Sequence, residues 1–262
     1  MSQPNFASDF RVLEMNGGAV QGERPFATAP LQFHLPVTQA GYANAQIDDC
    51  VGRRKAYPWR PGTRLKVCAR FSHEAEDLVG TAGFGFWNAP FGDPTVPWPT
   101  LPQATWFFFG SPPNDLPLAP AAPGCGWFAA TLDATTWRAV RLAPLAPAVL
   151  LMNQFTSLRQ KVWPWVQHNL QISFQPIQET MMDWHDYQLN WGKAGCEFFI
   201  DGRLIHRTPF SPRGPLGFVC WMDNQYMVAT ANGRFRWGTL PVSTPQFLAV
   251  DNLHIETIRV GE

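Results

Sequence analysis

The stretch Ala104-Thr105-Trp106-Phe107-Phe108-Phe109-Gly110 constrains the fold more than any other. A strand that covers a core on one face alternates apolar and polar residues. This run is aromatic at both parities, and Gly110-Ser111-Pro112-Pro113 ends it. Each face must therefore be covered. The core covers one; a second layer, a partner or a ligand must cover the other.

The rest of the chain repeats the theme of short β-rich runs between Gly and Pro, the pattern of a sandwich. Expected strands are Tyr42 to Asp49, Arg64 to Ser72, Thr81 to Asn88, Thr105 to Phe109 and Trp127 to Asp133. More follow at Leu170 to Gln175, His185 to Trp191, Cys196 to Ile200, Gly217 to Met227, Arg234 to Trp237 and Gln246 to Val260. The 25 prolines fit many loops and strand ends, since proline cannot donate to a ladder. Phe91 to Leu101 is proline-rich and reads as loop. No linker or internal repeat divides the 262 residues, so a single domain over 1–262 is expected.

One segment breaks the β pattern. In Ala148 to Val166, the residues Val149, Met152, Phe155, Leu158 and Val162 recur at helical spacing. Arg159, Gln160 and Lys161 fall toward the other side, and Pro164 is expected to stop or kink the helix. Such an insertion can serve as lid, dimer contact or plain packing.

Composition excludes several classes. Lys plus Arg and Asp plus Glu are 20 each, so the net charge is zero and no basic field is expected to attract nucleic acid or anionic lipid. No apolar run reaches the roughly 18 residues of a membrane span. The opening MSQPNFASDFRVLEMNGG has no basic region followed by an apolar one, so no secretory signal is read there. The five cysteines are odd in number and widely spaced, without CxxC or Cys/His zinc spacing. They read as buried thiols in a reducing compartment, which predicts a cytoplasmic protein. No GxSxG, P-loop or GxGxxG followed by a helix occurs; Gly83-Phe84-Gly85 reads as a strand packing feature.

Asp183-Trp184-His185-Asp186-Tyr187-Gln188-Leu189-Asn190-Trp191 precedes Cys196-Glu197-Phe198-Phe199-Ile200-Asp201-Gly202. Tyr187, Leu189 and Trp191 share one face at period two, and Asp201-Gly202 makes a tight turn. These residues resemble the "D-F-H-x-Y-x-x-x-W … F-Y-V-D-G" hairpin of the family-16 glycoside hydrolases, the laminarinase and lichenase group. RLKVCARFS (Arg64 to Ser72) and GTAGFGFWN (Gly80 to Asn88) resemble that family's "F-E-A-R … G-x-W-P-A-F-W" pair. FLAVDNLHI (Phe247 to Ile255) resembles its closing strand, "M-x-V-D-Y-V-R-V". The resemblance runs from about Tyr42 to the C-terminus. It implies an all-β, concanavalin A-like jelly-roll sandwich of two antiparallel sheets with a small helical insertion near 148–166. Fold alone does not carry function. In the family, the strand after the "A-F-W" segment bears the E-x-D-x-(x)-E carboxylates of retaining hydrolysis. ATWFFFG stands in that place, and the nearest carboxylates, Asp93 and Asp115, lie in loops. The resemblance also matches His185 to a hairpin histidine that is more often structural, and Asp251 to an aspartate used for structural calcium. No other cofactor is expected.

Period-two arithmetic nominates a site on the sheet that is concave in the family. Ala45 and Ile47 suit the core, turning Asn44, Gln46 and Asp48 outward. Phe218, Cys220 and Met222 suit the core, turning Val219, Trp221, Asp223 and Gln225 outward. Of ATWFFFG, Trp106 and Phe108 are placed outward. The expectation is an aromatic groove with Asn44, Gln46, Trp106, Phe108, Trp221 and Gln225 binding a small molecule or glycan, and with Asp48 and Asp223 as acid and base if there is turnover. Structural readings stand beside it: Asp48-Asp49 in a turn beyond a strand end, Asp223-Asn224 in a bulge, Trp106 and Phe108 under the helix. Three functions follow. One is a non-hydrolytic binding protein for a hydrophobic or aromatic metabolite or a glycan. The second is a cyclase- or isomerase-type enzyme on a polyene, terpenoid or polyketide-like substrate. The third is a glycosidase with relocated carboxylates. No nucleic acid and no membrane span are expected; the oligomeric state stays open.

Overall fold

The computed structural model describes residues 10–22, 30–90, 98–116 and 124–258. Asp93, most of the proline-rich loop and the first nine residues lie outside that range. Two seven-stranded antiparallel sheets face each other. The front sheet runs in the order β1 (Arg11–Met15), β4 (Asn44–Asp48), β13 (Gly217–Asp223), β6 (Thr81–Trp87), β7 (Gln103–Gly110), β8 (Gly126–Asp133) and β9 (Ser173–Pro176). The back sheet runs β12 (Arg203–Thr208), β11 (Gly195–Ile200), β10 (His185–Gly192), β5 (Thr63–Phe71), β16 (Gln246–Thr257), β3 (Leu31–Leu35) and β2 (Ala19–Gln21). A separate ribbon pairs β14 (Gln225–Ala229) with β15 (Phe235–Thr239). This is an all-β jelly-roll sandwich, and its final long strand β16 pairs between β5 and β3.

The core forms because each sheet turns one parity inward. Phe84, Phe86, Phe107, Phe109, Trp127 and Phe218 come from the front sheet and are buried. Tyr187, Leu189, Trp191 and Phe198 meet them from the back. Ring pairs lock the two layers edge to face: Phe107 lies 5.3 Å from Phe198 at 88°, and 5.0 Å from Tyr187 at 69°. The turn between β11 and β12 uses Asp201 and Gly202 at φ 50° and 75°, the left-handed pair of a tight hairpin.

The structure corrects several boundaries. β1, β2, β3 and β12 were not expected as strands; three of these four are edge strands, and β3 lies beside one. Gly217 to Met227 is two strands, not one. The break is Asn224, fully buried, whose side chain accepts from the Ala43 N–H (2.8 Å) and donates to the carbonyls of Gly41 (3.0 Å) and Leu240 (2.8 Å). These bonds divert the chain out of the sheet. Leu170 caps a helix, and β9 begins only at Ser173.

The single helix expected over 148–166 is two, α2 (Ala146–Met152) and α3 (Thr156–Asn169), preceded by a short α1 (Trp137–Val140). Phe155 is extended, at φ −97° and ψ 122°, and resets the helical phase. Consequently Trp163 and Val166 are buried with Val149, whereas Phe155 and Leu158 are exposed. Pro164 sits inside α3 on its exposed side and does not end it. A proline there removes one ladder bond without burying an orphan carbonyl.

The helices leave the front sheet after Asp133. The β14–β15 ribbon leaves it after Asp223, at the opposite end of the strands, where Asp223 pairs with Thr81 and Thr81 with Gly110. The two insertions meet at their tips. Asn153 Nδ2 donates to the Ala231 carbonyl at 2.8 Å, and Gln154 Nε2 to the Asn232 carbonyl at 2.8 Å. Ala231 packs with Val149, Trp163 and Val166. The ribbon is also tied to the segment after β7, through Asp115 N–H to Met227 O (3.0 Å) and Ala229 N–H to Asp115 O (2.9 Å).

Candidate functional site

The outer face of the front sheet carries a second aromatic layer, distinct from the core. Its buried members are Phe108, Phe128, Ala130, Val219 and Trp221, with Trp87, Trp106, Leu116 and Phe174 partly buried around them. The strand register explains the layout. Trp221 on β13 and Phe108 on β7 both pair with Gly83 on β6; Val219 and Trp106 both pair with Gly85. The lane between them holds no side chain. A Cβ at Gly83 would lie 2.2 Å from the Phe107 carbonyl oxygen, and one at Gly85 would lie 2.5 Å from Trp106 Cα. Only glycine lets β6 pass there, and the bare lane lets the flanking rings lean together. Trp106 and Trp221 stand 5.5 Å apart, Trp106 and Phe108 5.3 Å, and Phe108 and Phe128 5.2 Å. The inward and outward parities expected for β4, β7 and β13 are those observed.

The face is closed rather than grooved. Trp221 and Phe108 are each 7% exposed and Phe128 is 3% exposed. Leu116, from the segment tied to the ribbon, and Phe174, just after the helices, pack on the layer. An open hollow of about 530 Å³ lies instead on the outer face of the back sheet, lined by Lys66, Cys68, Asp186, Gln188, Phe199 and His254. Lys66 and Asp186 there are freely hydrated. The front face, by contrast, holds polar groups cut off from water among rings, which is the feature that sets chemistry apart.

The polar end of the aromatic layer is built on Asp223. Trp221 Nε1 donates to Thr81 Oγ1 at 2.9 Å, and Thr81 Oγ1 donates to Asp223 Oδ1 at 2.8 Å. The Gln225 N–H (3.0 Å) and the Tyr42 hydroxyl (3.4 Å) also donate to Asp223. Burial pushes the Asp223 carboxyl up to about 6, against the pull of these hydrogen bonds. Burial, then the Asp223 charge, pushes the Tyr42 phenol up as well. Asn44 is paired with Asp223 across β4 and β13. Its Nδ2 donates to the Leu13 carbonyl at 3.4 Å, while its Oδ1 is buried without a hydrogen-bond partner. An orphan acceptor of this kind costs stability unless a donor meets it.

Asp48 is placed differently. It is fully buried and clamped by Arg11, whose Nη2 lies 3.0 Å from the carboxylate and whose Nε donates at 3.1 Å. Gln46 Nε2 (2.7 Å) and the Cys50 N–H (3.0 Å) complete its shell. With its oxygens committed, Asp48 is a structural ion pair rather than a free acid or base. Gln46 lies beside Trp221 in the register but spends its amide on Asp48. Gln225 does not join the face: it is exposed at the start of the ribbon, because Asn224 turns the chain away.

Sequence reasoning missed Tyr42, Thr81, Trp87 and Phe128. The alternation of β6 and β8 would have found the last three. It also missed Asp49, which accepts from Trp59 Nε1 and the Phe218 N–H, each at 2.6 Å, and which burial pushes up to about 7.

Asp251 lies on the back sheet, where its Oδ1 accepts from the Asn252 N–H at 2.8 Å beside a bulge, and its cross-strand neighbour is Cys68. Asp186 pairs with the same Cys68 from the other side. Among the described residues no group of three or more His, Cys, Asp or Glu could hold a metal. His185 is a latch: its ring nitrogens contact Asp201 Oδ2 (2.6 Å) and the Thr180 carbonyl (3.1 Å). All five cysteines are unpaired; Cys50, Cys196 and Cys220 are buried as expected, whereas Cys68 and Cys125 are only partly so.

No protein-family model and no curated protein matches the sequence. Solved structures do match in shape. A laminarinase from Flavobacterium sp. UMI-01 aligns at TM-score 0.50 with 12% identity, over 96% of this chain and 93% of that one. An endo-acting O-glycanase of the human gut microbiota aligns at TM-score 0.49 with 13% identity, over 98% and 94%. The carbohydrate recognition domain of Emp47p aligns at TM-score 0.48 with 6% identity, over 96% and 90%. At such identities the likeness is one of fold. The chain shares the two-sheet jelly-roll fold of that laminarinase.

Proposed function

We propose that this chain binds a small ligand with a flat apolar face, an aromatic or polyene metabolite or the ring of a glycan, against the Trp106–Trp221 layer. The observation that carries the reading is the layer of rings over the glycine lane, of which Trp87 and Trp106 stay partly exposed, ending at the polar set of Asn44, Thr81, Tyr42 and Asp223. Rings supply stacking area and the polar end supplies orientation. The sugar-related activities of the shape-matched proteins fit a glycan ligand but do not choose it over a metabolite. Five unpaired thiols fit a reducing compartment.

Binding is favoured over hydrolysis. The outward positions of β7 are Trp106 and Phe108, and Asp48 is neutralised by Arg11. Asp48 pairs with Val219, four residues along β13 from Asp223, which separates the two backbones by roughly 13 Å. Retaining glycosidases hold their carboxyl groups about 5 Å apart. One observation favours a second reading, proton transfer on the bound ligand: Asp223 has a carboxyl raised to about 6 and a hydrogen-bonded phenol.

The test is ligand capture. Native mass spectrometry of the purified protein, with fluorescence titration by a conjugated polyene fatty acid and by a β-1,3-glucan oligomer, should show one bound species whose affinity falls at least tenfold in Trp106→Ala. Absence of any bound species and of both titrations would remove the reading. Asp223→Asn separates the two forms: it spares affinity in a pure binder and stops turnover in an enzyme.

A further inference from the structure

The helices and the ribbon share two properties that the chain as a whole does not. First, they are rich in exposed apolar side chains. Trp137 is 64% exposed, Leu151 66%, Phe155 58%, Trp165 48%, Phe235 61% and Trp237 69%. Second, every formal charge on them is positive. Between Asp133 and Glu179 the sequence holds Arg138, Arg141, Arg159 and Lys161 and no acid; between Asp223 and Asp251 it holds Arg234 and Arg236 and no acid. The net charge of zero therefore hides a local basic region.

The fold joins the two segments. The Asn153–Ala231 and Gln154–Asn232 bonds tie α2 to the ribbon tip, and Gly233 lies against Leu150. On α3, Leu158, Lys161 and Trp165 follow one another at spacings of three and four, so apolar and cationic side chains share one exposed face. Arg141 lies 5.0 Å from the Trp137 ring. Tryptophan and leucine interleaved with arginine and lysine is the make-up of elements that lie in the headgroup region of a membrane. No helix among the described residues is long and apolar enough to cross one.

We propose that the face formed by α1, α2, α3 and the β14–β15 ribbon docks on the surface of a membrane that contains anionic lipid. Charge complementarity selects this occupant. A second copy would bring the same cations face to face in a two-fold interface, where they repel. A neutral apolar partner would leave them unpaired.

The experiment is co-sedimentation with vesicles of phosphatidylcholine mixed with phosphatidylglycerol, and with vesicles of phosphatidylcholine alone. The full chain should sediment with the anionic vesicles, less so with the neutral ones, and salt should weaken the binding. Each cation replaced should lower the partition about fivefold. Arg138→Gln/Arg141→Gln/Lys161→Gln should bind far more weakly, as should Trp165→Ser/Trp237→Ser. All five side chains are exposed, so both variants should keep the parent circular dichroism and melting temperature. No sedimentation with either vesicle overturns the proposal. So does equal, salt-independent binding to both, or a stable dimer that Trp165→Ser dissociates.

Discussion

Trp106 and Trp221 lie 5.5 Å apart, centroid to centroid, although a complete strand runs between the strands that bear them. Gly83 and Gly85 make this possible. Gly83→Ala should destabilise the fold by about 3 kcal/mol, because the new Cβ meets backbone that cannot yield. Urea unfolding measures this. An unchanged midpoint would mean that the strands separate freely and that the lane is not rigid.

Trp221 belongs to a packed layer, and its replacement tests how firmly. The sequence argument placed its ring on the wall of an open groove. Its 7% exposure shows otherwise. Trp221→Ala should cost about 3–5 kcal/mol. Trp221→Phe keeps a ring but loses the bond to Thr81 and should cost about 1–2 kcal/mol. If Trp221→Ala melts like the parent, the layer is not packed as described.

What could be read in the sequence was whatever depends on parity. ATWFFFG announced a strand covered on both faces, and Phe107 and Phe109 did go inward while Trp106 and Phe108 went outward. The hairpin of Tyr187, Leu189 and Trp191 followed for the same reason. What escaped depends on single side chains that override a pattern. Asn224 ends β13 through three hydrogen bonds that no periodicity encodes, so Gln225 was misplaced. Phe155 resets the helical phase by one extended residue. Arg11 sits 37 residues from Asp48 in sequence, so the pair that neutralises this carboxylate becomes visible only when β1 joins β4.

That pair makes its own prediction. Arg11→Met leaves the Asp48 charge buried with only neutral donors and should cost about 3–5 kcal/mol. Adding Asp48→Asn should recover much of that loss, since the charge is then gone. Chemical denaturation of the single and double variants decides it. A double variant no more stable than Arg11→Met would show that Arg11 contributes by packing.

Asp223 predicts a pH dependence of known sign. Its folded carboxyl titrates near 6, above its ordinary value of 3.8. Between those values the folded state holds the proton more tightly than the unfolded state. Stability from this group is therefore present at low pH and is lost as pH rises toward 6. Asp223→Asn cannot ionise and keeps the shape. It should be more stable than the parent at pH 8 by up to about 3 kcal/mol, with the gap closing toward pH 4. A gap that does not change with pH would place the Asp223 titration elsewhere.

The last prediction concerns the junction between the helices and the ribbon. Asn153 is fully buried, and its amide makes the 2.8 Å bond to Ala231 that joins α2 to the ribbon tip. Its Oδ1 has no hydrogen-bond partner, so one half of the amide holds the junction while the other half weakens it. The ribbon itself is two strands, and an isolated two-stranded ribbon is marginal in water. The junction and the Asp115 bonds to β14 thus set how often the ribbon lifts. Asn153→Ala should leave the two sheets intact while freeing the tip. Amides of β14 and β15 should exchange faster by about fivefold to tenfold, the effect of about 1–1.5 kcal/mol at the junction, while those of β5 and β16 stay slow. Acrylamide should then quench more of the tryptophan fluorescence, because the buried Trp163, which packs with Ala231, becomes reachable. Faster exchange spread evenly over both sheets would mean instead that Asn153 supports the whole fold, and that ribbon and helices do not open as a unit.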